Sequence, residues 1–240
     1  MTEPTKIAVG VTRQYPSLFS AAYWRAAARD LRDIRRFAVA AMLAAISVAL
    51  ESFNLPITAS IQIHFTFLPG GLCGMICGPW LSLVYGIITD VVACVIAGYA
   101  FFPGYTLSAA LSSLIYALFL YRRPLSFPRL LGCRGVINLF INTLLGSVWR
   151  VMFYGKSPYL VYVGGAALKN CLLLPIETLM MAWVYAALAP ALVRLGLRER
   201  GDTPRRPARR DILLAVLASI LIAALAVAGV FWFRHIGWIK

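Results

Sequence analysis

The chain has 240 residues, of which 61% are hydrophobic and 13% charged, with a mean hydropathy of +0.79. That balance excludes a soluble globular domain and indicates an integral membrane protein, with polar groups confined to ends, loops and a few sites. The formal net charge is +14, from 23 Lys and Arg against 9 Asp and Glu, and most arginines cluster beside apolar segments. Such clusters orient a protein in a membrane. No basic stripe with interleaved aromatics lies outside those segments, so no nucleic-acid partner is expected.

Residues 1–24 hold no apolar run that reads as a secretory signal; the first long one starts near Phe37. From Leu18 to Arg36, apolar Leu18, Phe19, Tyr23, Trp24, Leu31 and Ile34 are set against Arg25, Arg29, Arg32, Arg35 and Arg36. This predicts a helix lying on the cytoplasmic membrane face, with a flexible basic tail as the plainer alternative. The first membrane helix is Phe37–Leu50, followed by Glu51, Asn54 and Pro56. Its Ala41 and Ala45 form a small-xxx-small pair, which lets another helix approach closely. A polar-leaning loop, Thr58–His64, comes next. The second helix, Phe65–Cys77, is short and interrupted by Pro69, Gly70, Gly71 and Gly74, and Gly78-Pro79 reads as a turn. The third is Trp80–Ala97, with Ser82 and Gly86 as another small pair. Asp90 lies inside it; an intramembrane carboxylate is costly, so it should face a partner or a water-filled cavity.

Phe102–Tyr121 (FPGYTLSAALSSLIYALFLY) is the fourth helix, opened by Pro-Gly and stopped by Arg122, Arg123 and Pro124. Thr106, Ser108, Ala109, Ala110, Ser112 and Ser113 give it a small, hydroxyl-bearing face suited to packing against helices rather than lipid. Arg122–Arg134 reads as a loop with Pro124 and Pro128. The fifth helix runs from Gly135 to about Tyr154 and carries Asn138, Asn142, Trp149 and Arg150. The sixth runs from about Val163 to Leu192, with Lys169, Asn170, Pro175 and Glu177 embedded. Arg194–Arg210 is a charged linker, and Asp211–Phe233 is a last uncharged stretch long enough to span. The expected organisation is therefore an N-terminal interfacial segment (1–36), a six-helix membrane domain (37–193), a cytoplasmic linker (194–210) and a seventh membrane helix with a short tail (211–240). The N-terminus, the fourth-to-fifth loop and the linker are all arginine-rich, and fall on one side if six helices alternate. The loops on the other side carry Lys156 as their one basic residue. The topology is multi-pass, with a cytoplasmic N-terminus.

Cys73, Cys77, Cys94 and Cys171 lie in apolar segments and Cys133 beside a basic loop. With His64 and His235 as the sole histidines, no metal set forms, and the cysteines read as packing residues. No Ser-His-Asp set and no Gly-rich phosphate loop is present, so neither catalysis nor a cofactor is expected. The charges to explain are Glu51, Asp90, Arg150, Lys169 and Glu177. Arg150 and Lys169 lie near the outer ends of consecutive helices, where they converge on one cavity suited to an anion. Trp149 offers a flat surface to an aromatic ring. Glu177, about two turns deeper than Lys169, suits an amidine-like heterocycle edge. Internal pairing of Lys169 or Arg150 with Glu177 or Asp90 explains the same residues structurally, and residue types leave both readings open.

Phe102–Arg123 closely resembles the stretch FPGFTLSAAL–GLIYGLFLY of the substrate-binding S components of energy-coupling factor (ECF) vitamin transporters, in their folate-specific branch. Ile63–Pro79 (IHFTFLPGGLCGMICGP), Trp149–Lys156 (WRVMFYGK) and Leu168–Glu177 (LKNCLLLPIE) are similar in the same order. The resemblance implies an all-α integral membrane fold, a six-helix bundle to which this chain adds the C-terminal helix. It implies folate captured near the outer face of a bacterial cytoplasmic membrane, and uptake energised by a separate coupling subunit and two ATPase subunits. Together with the residue chemistry above, it leads to a pocket of Lys169, Asn170, Trp149, Arg150 and Glu177, with Phe102, Tyr105 and Thr106, and Asp90 in the pocket or in packing. It places Ala41 and Ala45, and Ser82 and Gly86 as small residues only, at the coupling subunit. Two departures stand out. Ala166 occupies a place that is often basic in the family, and Arg150 one that is apolar, so Arg150 is expected to supply the missing charge for the glutamyl carboxylates. The same fold serves many ligands, so an S component for riboflavin, pantothenate or a similar compound is the first alternative. A membrane enzyme acting on a lipid or prenyl substrate, and a scaffold that binds nothing, are the others.

Overall fold

The computed structural model describes residues 21–51, 53–58, 61–98, 100–155, 159–197 and 208–217, with 219, 220 and 224. The basic amphipathic segment forms two helices rather than one: α1 (Ala21–Asp30) and α2 (Ile34–Glu51). They part at Asp33, whose carboxylate accepts the Arg35 backbone N–H at 3.0 Å and so caps α2. After α2 the chain forms an antiparallel hairpin, β1 (Asn54–Thr58) with β2 (Ile61–His64), where a polar loop was expected. The alternation of Ile61 and Ile63 with Gln62 and His64 is the period-two pattern behind it.

α3 (Phe67–Ala97) contains both the second and third expected helices. It is not one rod, because Gly78 takes φ 80 and ψ 176, a conformation open to glycine. The Ser82 hydroxyl comes 3.9 Å from the Cys73 sulfur. In a straight helix those residues would stand about 13 Å apart along the axis. A Cβ on Gly70 would likewise lie 3.9 Å from the Tyr85 ring. The chain thus turns back at Gly78-Pro79, and its two arms pack on each other. α4 (Pro103–Leu120) crosses the first arm so closely that a Cβ on Gly74 would sit 2.7 Å from the Tyr116 Cβ. That contact is why Gly74 is needed. Tyr185 also reaches the first arm, donating its hydroxyl to the Leu68 carbonyl at 2.9 Å.

The segment read as a loop to Arg134 is largely helical. α5 (Phe127–Val136) starts after Ser126 with proline in its first turn. Phe127, Leu130, Cys133, Arg134 and Ile137 recur on its inner face. α5 passes without a break into a π-helical stretch (Ile137–Leu145) and then α6 (Gly146–Tyr154). α7 (Tyr159–Arg194) continues through Pro175 and Pro190 and extends past both expected ends. Residues 209–217 are helical, but most of the last expected membrane helix and of the linker lies outside the described residues.

Among the described residues, four helical segments have the length and apolar composition to cross a bilayer: Phe67–Ala97, with its reversal at Gly78, Pro103–Leu120, Phe127–Phe153 and Tyr162–Arg194. Large apolar side chains such as Met42, Ile88, Val95, Phe140, Met152 and Trp183 cover the outside, where acyl chains solvate them. This is a multi-pass membrane protein. The α1 helix clasps one end of the bundle. Its Tyr23 and Ala27 are buried with Tyr121, and Trp24 stacks edge-on with Trp80 at 5.6 Å. Asp30 accepts the Tyr121 hydroxyl and pairs with Arg36 at 2.8 Å and Arg122 at 3.1 Å. Burial, then the bond to Asp30, pushes the Tyr121 phenol well above its ordinary range, so it remains a donor.

Candidate functional site

α2, α3, α4, the α5–α6 segment and α7 surround a cavity of about 420 Å³. That is within the usual range for a small-molecule site. At its deep end Arg134 and Glu177 form a buried ion pair, 7% and 5% exposed. Arg134 donates Nε to Glu177 Oε2 at 2.8 Å and Nη2 to Oε1 at 2.6 Å. It also donates to the Tyr116 hydroxyl, and its guanidinium lies 4.7 Å from the Phe67 ring centroid. Asn138 donates Nδ2 to the same Glu177 Oε2 at 2.9 Å.

The π-helical stretch supplies the wall above this pair. Wider turns of this kind often mark functional positions. Asn138, Asn142 and Thr143 all point inward from it and are tied together. Asn142 Nδ2 donates to Asn138 Oδ1 at 2.9 Å, and the Thr143 hydroxyl donates to the Asn138 carbonyl at 2.7 Å. From α7, Asn170 donates to Thr143 Oγ1 at 2.9 Å.

Arg150 and Lys169 line the cavity nearer the ends of α6 and α7. Lys169 is about 12 Å along α7 from Glu177. Among the described residues neither cation forms an ion pair. Asp90 also lines the cavity and accepts the Thr106 hydroxyl at 2.6 Å. Glu51 and His64 bring further titratable groups to the wall. The cavity mixes apolar and polar walls, with acceptors deep inside and, toward one end, two cations that are unpaired among the described residues.

Of the residues singled out in the sequence, Asp90, Tyr105, Arg150, Lys169, Asn170 and Glu177 share this cavity. Phe102, Thr106 and Trp149 are not on its lining. Trp149 donates its indole N–H to Ser108 at 2.9 Å, and Phe102 packs edge-on to Trp149, Tyr105 and Phe153. This aromatic cluster braces the wall from behind, and the Trp149 face is taken by a neighbour. Glu177 has an internal partner, but that partner is Arg134 rather than Lys169 or Arg150. In the sequence Arg134 reads as the last residue of the basic loop Arg122–Arg134. The apolar spacing of Phe127, Leu130 and Ile137 around it was the available signal. The small pair Ser82 and Gly86 is corrected as well. Both are buried, and a Cβ on Gly86 would meet the Ala109 carbonyl at 2.6 Å. Gly86 packs inward on α4 and Ser82 on the first arm of α3, so neither is open to another subunit. Ala41 and Ala45 are exposed on α2.

A helical membrane bundle around a cavity that carries charged and amide side chains is the build of a membrane-embedded solute-binding protein. The chain belongs to the family described as ECF transporter, substrate-specific component, whose model matches residues 35–198. It is 33% identical over 129 residues to the folate transporter FolT of Clostridium novyi (strain NT), across 52% of this chain and 74% of that protein. To the folate transporter FolT of Leuconostoc mesenteroides subsp. mesenteroides it is 32% identical over 151 residues, across 60% of this chain and 81% of that one. A crystal structure of FolT bound with folic acid matches with a TM-score of 0.56 at 27% identity, covering 62% of this chain and 90% of that chain.

Proposed function

We propose that this protein captures folate at the outer face of a bacterial cytoplasmic membrane and delivers it inward as the S component of an ECF transporter. Separate ATPase subunits energise the step through a coupling subunit, and the chain itself does no chemistry. The observation that carries this reading is the pair Arg150 and Lys169, two cavity cations without an ion-pair partner among the described residues. An anionic ligand tail relieves their mutual repulsion. The glutamyl carboxylates of folate meet that need, and the heterocycle extends toward Glu177 and Asn170. Tyr105 and Asp90 contribute to the wall, with Thr106, Phe102 and Trp149 holding it in place. The names of the relatives favour the same ligand.

In this reading residues 37–193 form a membrane domain of six helices, the N-terminus is cytoplasmic, and α2 meets the coupling subunit through Ala41 and Ala45. An impermeant thiol reagent on intact cells is expected to label Lys156→Cys; failure to label reverses the orientation. Function is tested on protein purified from rich medium, by its absorbance spectrum and by calorimetric titration with folic acid. A co-purified pterin chromophore or tight one-to-one binding supports the proposal. A clean spectrum with no heat of binding refutes folate as the ligand.

A further inference from the structure

We infer that Asn142 is a specificity-determining residue of the cavity: its side-chain oxygen reads an N–H donor on the ligand's heterocycle beside Glu177. The inference rests on the folate reading and adds a residue to which no role has been given. It follows from the direction of a hydrogen-bond chain. Arg134 can only donate, so both Glu177 oxygens are acceptors toward it. Asn138 lies 2.9 Å from Glu177 Oε2 and must turn its amide nitrogen there. Its Oδ1 is thereby directed at Asn142, which must donate its own nitrogen, at 2.9 Å. The orientation of the Asn142 amide is therefore set by the network rather than by a free choice of flip. Its Oδ1 has no partner among the described residues, and Asn142 lines the cavity.

Counting acceptors explains why this oxygen is needed. A carboxylate offers about four acceptor positions. Glu177 spends two on Oε2, to Arg134 and Asn138, and one on Oε1, to Arg134. One position on Oε1 is left, so Glu177 cannot receive two adjacent N–H groups by itself. The pterin edge of folic acid presents such a pair, an exocyclic amine next to a ring N–H. Asn142 Oδ1 takes the exocyclic amine and Glu177 Oε1 the ring N–H. Asn170 is oriented by the same logic: the Thr143 hydroxyl donates to the Asn138 carbonyl, so its oxygen accepts the Asn170 nitrogen. That leaves Asn170 Oδ1 as a further acceptor. A deep end made of fixed acceptors selects a donor-rich heterocycle. Arg134 and Asn138 are positioning residues for that selection.

The test compares calorimetric binding of folic acid with that of 2-desaminofolic acid, which lacks the exocyclic amine, to the full chain in detergent. Asn142→Ala is expected to weaken folic acid roughly tenfold or more, the loss of one buried hydrogen bond. The desamino analogue should change by less than about twofold, since it never made that bond. Asn142→Gln, which keeps the amide but moves its oxygen, gives the same selective loss if the alanine variant fails to fold. Equal weakening of both ligands marks Asn142 as structural and overturns the assignment alone. Unchanged folic acid binding also overturns it. Absence of folic acid binding to the unsubstituted chain, seen before any variant is made, overturns the folate reading and this assignment together.

Discussion

Replacing Arg134 by methionine removes two hydrogen bonds to Glu177 and one to Tyr116, and leaves the carboxylate buried with Asn138 as its remaining donor among the described residues. Arg134 and Glu177 are 7% and 5% exposed, so water reaches the carboxylate only from the cavity side and replaces little of what is lost. Breaking a buried ion pair on one side costs about 3–5 kcal/mol. A chain of this size loses about 2–4 °C of Tm per kcal/mol, so Arg134→Met is expected to lower Tm by roughly 6–20 °C. Removing both charges is different, because a well-packed apolar pair often replaces a buried ion pair at little net cost. Arg134→Met with Glu177→Met should therefore recover most of the loss. Thermal unfolding in detergent, followed by intrinsic fluorescence, reads both. A single variant within about two degrees of the parent, or a double variant no better than the single, refutes the burial and pairing described above.

Arg150→Ala should weaken folic acid roughly tenfold or more by titration calorimetry, as loss of a charged hydrogen bond, yet barely change pteroic acid, which lacks the glutamyl group. Equal affinity for folic acid in the variant removes Arg150 from the site. Gly74→Leu forces a side chain against Tyr116 and Ala117, where a Cβ alone would come within 2.7 Å and 2.8 Å. Overpacking of this kind costs about 1–3 kcal/mol, and thermal unfolding should show it. Asp30→Asn removes the shared partner of Arg36 and Arg122. It should speed proteolytic cleavage within α1 while folic acid binding stays unchanged. Ala41→Leu with Ala45→Leu should leave folic acid binding intact and abolish labelled-folate uptake by cells that carry the coupling module. Normal uptake refutes the docking face.

Much of the fold was legible because the bilayer imposes simple demands. Long uncharged runs must be helices, since every backbone polar group needs an internal partner in lipid. The Gly78-Pro79 reversal and the Pro103 start are local events, written in residues with restricted or unusual backbone freedom. The cavity cations were legible too, since a charge inside an apolar run stands out against its neighbours. Six of the nine expected pocket residues share the cavity, and the three that do not, Phe102, Thr106 and Trp149, lie one layer behind. Local pattern cannot separate those layers, because facing the cavity or a neighbouring ring is a matter of a partial turn.

The sequence by itself determined the membrane class, most helix positions and which charged side chains needed explaining. Tertiary structure alone decided their partners. Arg134 looked like one more cytoplasmic arginine, because an ion pair is made by two residues 43 positions apart and leaves no trace at either one alone. Ser82 and Gly86 looked like an external docking face, because a small residue permits close approach without naming which helix approaches. The π-helical stretch turned Asn138, Asn142 and Thr143 into one linked wall by widening the turn that carries them. Each of these outcomes depends on what packs opposite. The chain brings those surfaces together only when its helices assemble.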